Sequence, residues 1–319
     1  MSTIITITFS PCIDKSTTVT SIIPEKKIHC TPPKLEPGGG GINVARALRK
    51  LGEDPIAIFP SGGYTGKFFN HLMAIENIHS TIVEVEGETR ENLIVLDQSI
   101  KAQYRFGMPG AALSEKEWSE CLQALATVKE VDYIVVSGSL PPGVPMRVFG
   151  QLDEIAASKK ARLIIDTSGE VLKTAAVHGA YLLKPNLGEL AYLAGVEELL
   201  PSELVPVSRS LIRNGSCQVV LISQGSAGAT LITKNTVEKI AAPSVTIRST
   251  VGAGDSMVAG IVYFLSLGKS LSEAARFGVA CGTAATMNPG TELCKKQDAF
   301  HLYELMEVSR QQSSAAYQV

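Results

Sequence analysis

The chain has 319 residues, 45 % of them hydrophobic and 19 % charged, with a formal net charge of −2. This is globular composition, not that of a disordered chain, and without a basic surplus neither nucleic acid nor an anionic membrane is an expected partner. Six cysteines, Cys12, Cys30, Cys121, Cys217, Cys281 and Cys294, lie scattered without a Cys-x-x-Cys pair or a histidine at ligand spacing, so reduced thiols in a cytoplasmic protein are expected in place of a zinc site.

The first apolar run, residues 4–9, has no basic segment or cleavage site around it and reads as a strand. Asp14 follows it. Residues 16–36 carry Thr17, Val19, Ile22, Ile28 and Cys30 in loose apolar–polar alternation, the style of antiparallel strands. Next come Gly38, Gly39, Gly40 and Gly41, then Asn43, leading into a helix over 42–51. Four glycines strip one wall of side chains. A polyhydroxylated ligand could approach the backbone there, with Asn43 offering both a donor and an acceptor. The plainer alternative, a flexible hinge, carries a high conformational-entropy cost.

A strand over 55–59 and a helix over 68–76 come next. Residues 91–106 repeat the alternating style around a turn near 97–99. The two alternating segments together predict a small sheet lying as a lid on the site. An apolar outer face on that sheet would suit a subunit interface. Strands are expected at 133–137, with a turn at 141–143 after it, and at 162–166, 181–184 and 219–223. Each of these runs ends in polar or glycine residues and precedes a helical pattern. This rhythm predicts a parallel sheet with crossover helices. In such sheets ligands bind beyond the carboxyl ends of the strands, where Asp166, Lys184-Pro185-Asn186 and Ser223-Gln224-Gly225 stand. The apolar run 257–267 is too short to span a membrane and reads as a core helix. A polar stretch, 311–319, ends the chain.

Thr250-Val251-Gly252-Ala253-Gly254-Asp255-Ser256-Met257 carries the strongest chemical signal. Its small residues let the backbone curl so that the amides of Gly252, Ala253 and Gly254 converge at a helix start. That is a hole for an anion whose charge spreads in a transition state. Asp255, in the first helical turn, could accept a proton from an attacking hydroxyl. The alternative is a tight loop whose aspartate only caps the helix. No G-x-G-x-x-G follows the first strand, which argues against a Rossmann dehydrogenase. The intact Asp255 and glycine block argue against a catalytically silent binding protein.

Together these motifs resemble the ribokinase family of sugar kinases over essentially the whole chain, and within it the minor-type 6-phosphofructokinases. The matching blocks are PGGGGINVAR at 37–46, QYRF-MPGAAL at 103–113 with Gly107 in the gap, and SGSLPPG at 137–143. KPN–E follows at 184–189 and STVGAGDSMV at 249–258. The resemblance implies an α/β, three-layer ribokinase-like sandwich with a mostly parallel central sheet and a small β-sheet lid. The large domain would hold residues 1–13, 37–89 and 107–319. The lid, 14–36 and 90–106, would pair two copies as a homodimer. The implied reaction is ATP-dependent phosphorylation of fructose 6-phosphate at its 1-hydroxyl, giving fructose 1,6-bisphosphate and ADP as in glycolysis. Tagatose-6-phosphate kinase and 1-phosphofructokinase are the alternatives. The second glycine block, 62–66, lacks the acid of ribose and nucleoside kinases. Gly40 stands where 1-phosphofructokinases and tagatose-6-phosphate kinases usually have lysine.

The resemblance also implies roles for residues. Asp255 is the base, beside the amides of Gly252, Ala253 and Gly254. Asp14, Ser139, Asn43 and Gly38 to Gly41 hold the sugar. Arg90, Arg105 and Lys27 hold its phosphate, Lys27 by reaching across a dimer, and an arginine fork suits that task. Without the resemblance these polar groups read as turn or cap residues and solvated charge. Lys184, Asn186, Ser223, Gln224, Gly225, Ser226 and Gly228 meet ATP. Asn186 and Glu189 organise Mg²⁺ through its waters, or simply form a capping box. Carbonyls of Ser249, Val251, Ala285, Asn288 and Gly290 hold a monovalent cation such as K⁺.

Overall fold

The computed structural model describes residues 2–316. Its spine is a nine-stranded sheet. β1 (Ile4–Ile7) is flanked in parallel by β4 (Ile56–Gly62) and β8 (Tyr133–Ser137). β5 (His79–Val85) forms one edge. On the other side follow β9 (Arg162–Asp166), β10 (Leu182–Leu183) and β11 (Val219–Ser223), all parallel, then the antiparallel β12 (Ala229–Ile232) and β13 (Val237–Ile240).

Strand alternation sorts the core into two layers. Ile4, Val135, Ile164 and Leu221 face α1 (Gly40–Leu51), α8 (Ala253–Ser266), α9 (Leu271–Thr286) and α10 (Lys296–Ala316). Ile5, Ile7, Val136, Ile165 and Ile222 face α3 (Glu115–Thr127), α4 (Val148–Lys159), α5 (Gly169–His178), α6 (Leu187–Ala194) and α7 (Leu204–Arg213). Both faces are covered, so the central strands read as unbroken apolar runs. The polar end of the chain does not stop α10, which continues to Ala316; residues 317–319 lie outside the described part. Among the described residues no helix is long and apolar enough to cross a membrane.

The lid is a separate four-stranded sheet in the order β3 (Lys34–Gly38), β2 (Cys12–Val19), β6 (Arg90–Asp97), β7 (Ala102–Phe106). The expectation of antiparallel strands needs correcting at its centre, because β2 and β6 run parallel, with Asp14 opposite Asn92. Each insert leaves the large domain on one strand and returns on an antiparallel neighbour. The two outgoing strands lie side by side and therefore share a direction.

Other differences are local. α2 (Gly63–Ile75) begins five residues before the expected start. Its cap comes from a distant residue, Glu88, whose carboxylate accepts from the amides of Tyr64 (3.1 Å) and Thr65 (3.0 Å). β11 is followed not by an α-helix but by a single 3₁₀ turn, Gly225–Ala227, which reverses the chain into β12. α1 is tied to the lid base through Arg46, which is 1 % exposed. Its guanidinium donates to Pro37 O and Glu36 Oε1, both at 2.9 Å, and to Glu76. Thr291 Oγ1 donates to the other Glu36 oxygen at 2.6 Å.

Candidate active site

The start of α8 lies between two cavities. Gly252 caps it in the left-handed region (φ 74°), where a side chain would also collide with Leu293. Only glycine suits that position. The first intrahelical bond runs from Ser256 N to Gly252 O, so among the described residues the amides of Gly252, Ala253 and Gly254 are left for an external acceptor.

Asp255 sits in that first turn. Its Oδ2 accepts from Asn43 Nδ2 at 3.0 Å and its Oδ1 from Ser137 Oγ at 3.5 Å. Burial, reinforced by the negative charge of Asp166, pushes its pKa up to about 7, against the opposing pull of Asn43 and Lys184. A carboxylate so placed is a competent base near neutrality. Lys184 is 5 % exposed and lies 3.1 Å from Asp166 Oδ1. Burial pulls its pKa down, but the negative charges of Asp166, Glu189 and Asp255 together leave it raised.

The first cavity, about 200 Å³, opens under the lid and is lined by Cys12, Asp14, Gly39, Asn43, Arg90, Asn92, Arg105 and Val251, among others. Asp14 Oδ1 accepts from Asn92 Nδ2 (3.0 Å) and Cys12 Sγ (3.3 Å). Burial raises its pKa while those two hydrogen bonds lower it. Arg90 donates to Ser10 O and Met108 O, both at 3.0 Å. Arg105 donates to Thr250 Oγ1 at 2.8 Å, joining the lid to the α8 entry.

Of the glycine block, Gly39 lines this cavity. The other three permit close packing. A Cβ on Gly38 would fall 2.2 Å from Asp14 Oδ2, on Gly40 2.3 Å from Ser137 Oγ, and on Gly41 2.4 Å from Thr8 Oγ1. The missing side chains thus bring α1 and β3 against the ends of β1, β2 and β8. Ser139 and Lys27 are exposed and do not line the cavity; Lys27 lies in the β2–β3 connection.

The second cavity, about 470 Å³, has Asn186, Ser223, Gly225, Ser226 and Gly228 on one side and Val279, Gly282, Thr283 and Thr286 of α9 on the other. Ala253 and Gly254 line it as well. Gln224 serves the turn itself, its Oε1 accepting from Thr230 Oγ1 at 2.9 Å. Asn186 and Glu189 form a reciprocal capping box on α6. Burial raises the Glu189 pKa, with Asp166 adding to it. The proposed cation residues also gather. Ser249 Oγ donates to Gly290 O (2.6 Å) and accepts from Val251 N (3.2 Å), and Asn288 N donates to Ala285 O (3.1 Å).

Sequence reasoning missed Cys12, Asn92, Ser137 and the α9 wall. Ser137 opens the same Ser-Gly-Ser block as Ser139, and only the end of β8 shows which serine faces Asp255. The α9 residues are small and belong to no motif.

The family model for pfkB family carbohydrate kinases matches residues 7–298. The ATP-dependent 6-phosphofructokinase isozyme 2 of Escherichia coli (strain K12) is 42 % identical over 95 % of this chain and 98 % of its own length. The crystal structure of phosphofructokinase-2 from Escherichia coli in complex with potassium matches with a TM-score of 0.92 and 41 % identity, covering 96 % of this chain and all of that one. A ribokinase from Thermotoga maritima shares the fold, with a TM-score of 0.77 at 21 % identity over 95 % of this chain and 100 % of that chain.

Proposed function

The chain belongs to the pfkB family of carbohydrate kinases, and from that premise we infer that it is an ATP-dependent 6-phosphofructokinase. The observation that carries the chemistry is Asp255, poised near pH 7, bonded to Asn43 of the smaller cavity and next to Ala253 and Gly254 of the larger. Fructose 6-phosphate occupies the smaller cavity, its hydroxyls toward Asp14, Gly39 and Asn43 and its phosphate toward Arg90 and Arg105. ATP occupies the larger. Asp255 takes the proton of the 1-hydroxyl as that oxygen attacks the γ-phosphorus. The O–P bond to ADP breaks, and the amides of Gly252 to Gly254 stabilise the charge on the transferring group.

Two ions fit the residues present. Asn186 lines the nucleotide cavity and Glu189 is bonded to it, an oxygen pair that suits hydrated Mg²⁺, which typically binds few protein carboxylates. Bound there, Mg²⁺ would supply positive charge that offsets the charge of the phosphates. The backbone oxygens around Ser249 and Gly290 suit K⁺, which the E. coli enzyme's structure contains.

A coupled ADP-release assay with fructose 6-phosphate, tagatose 6-phosphate and fructose 1-phosphate tests the substrate. Fructose 6-phosphate should give the highest kcat/KM, and a higher value for either other sugar would overturn the reading.

A further inference from the structure

Asp14 and Arg90 present opposite charges to the same small cavity, yet among the described residues they do not pair with each other. Asn92 lies between them. Its Nδ2 donates to Asp14 Oδ1 at 3.0 Å and to Cys12 Sγ at 3.1 Å. Its Oδ1 accepts from Met108 N at 3.1 Å and faces Arg90 Nη1 at 3.5 Å. The amide can be oriented in only one sense, because flipping it would set oxygen against carboxylate and NH₂ against N–H donors. We propose that Asn92 is a positioning residue of the sugar site, a neutral spacer that keeps Asp14 and Arg90 from joining in an ion pair and so leaves both for the substrate.

The parallel register fixes this placement. Asn92 lies directly opposite Asp14 on the neighbouring strand, and Arg90 is two residues back on the same face of β6. No other common side chain of this size meets both neighbours. Aspartate would satisfy Met108 and Arg90 but repel Asp14. Leucine would give neither a partner and would let the two charges close on one another, occupying the groups meant for sugar hydroxyls and phosphate.

This inference rests on the assignment of Asp14 and Arg90 to the sugar phosphate, and the experiment separates the two. Asn92→Leu and the near-isosteric Asn92→Asp are compared with wild type in steady-state assays varying fructose 6-phosphate and ATP independently. The KM for fructose 6-phosphate should rise about 10–100-fold in both variants, consistent with losing charge-assisted contacts. Turnover should stay within about threefold and the KM for ATP within about twofold, a split that general loosening of the fold would not produce. A sugar KM within about threefold of wild type in both variants, or a parallel rise in both KM values, overturns the proposal. Asp14→Asn, measured alongside, tests the underlying assignment, which falls if its sugar KM is unchanged.

Discussion

At the scale of single residues, Asp255 is tuned by the same burial that makes it costly. With its pKa held at about 7, the carboxylate accepts a proton more readily than an ordinary aspartate, and kcat/KM should decline as pH falls through that value. Asp255→Asn should lower turnover by roughly 10²–10⁴ while leaving sugar binding near normal. Between the ordinary value of 3.8 and about 7 the folded chain holds a proton that the unfolded chain has released. Stability therefore falls as pH rises through this window, and the penalty is complete above it. The asparagine variant escapes the penalty, so thermal unfolding at pH 8 should show it more stable by on the order of 2–4 kcal/mol. The gain should vanish near pH 4. A variant no more stable than wild type at pH 8 would mean that burial does not tune Asp255. The residues with this kind of chemistry were legible where they occur in motifs. Asn92 lies in no motif and Ser137 shares one with Ser139; neither stood out, because each acts through a neighbour brought in by sheet register or a strand end.

At the scale of elements, strands β8, β9 and β11 could be read to their ends because burial on both faces leaves an uninterrupted apolar signature. The start of α2 could not, since Glu88 caps it from 24 residues away. The direction of β2 against β6 was likewise hidden, because alternation reports which face a residue takes and not which way its neighbour runs. α1 joins the lid to the site, carrying Asn43 at its start and Arg46 one turn later. Arg46→Ala would leave Glu36, 6 % exposed, without its main cation. Removing one partner of a buried pair typically costs about 3–5 kcal/mol. Urea unfolding should record a loss of that size, and a loss below about 1 kcal/mol would show that Thr291 and Lys34, whose Nζ lies 3.2 Å from Glu36 Oε1, suffice to hold Glu36.

At the scale of the whole molecule, the lid has two faces with different tasks. Asn92, Ile94 and Arg105 lie on the cavity side. By strand alternation Leu93 opposite Phe106, and Val95 opposite Tyr104, take the other face; Val95 is buried there, and Leu93 and Phe106 also border the cavity. Leu93, Tyr104 and Phe106 are 36 %, 39 % and 45 % exposed, which is unusual for large apolar groups grouped on one sheet face. A second copy of the lid is a self-complementary cover for such a face. The same pairing would give Lys27, exposed and outside its own cavity, a route to the neighbouring copy's sugar phosphate. If that face is the interface, Phe106→Glu would bury an unpaired charge in it, and sedimentation should show a dimeric wild type and a monomeric variant. If Lys27 reaches the neighbouring site, the monomer should also have a raised KM for fructose 6-phosphate. Lys27→Ala should reproduce the raised KM while remaining dimeric. If Phe106→Glu stays dimeric, the outer face of the lid is not the interface. If it becomes monomeric with an unchanged sugar KM, Lys27 has no part in the neighbouring site.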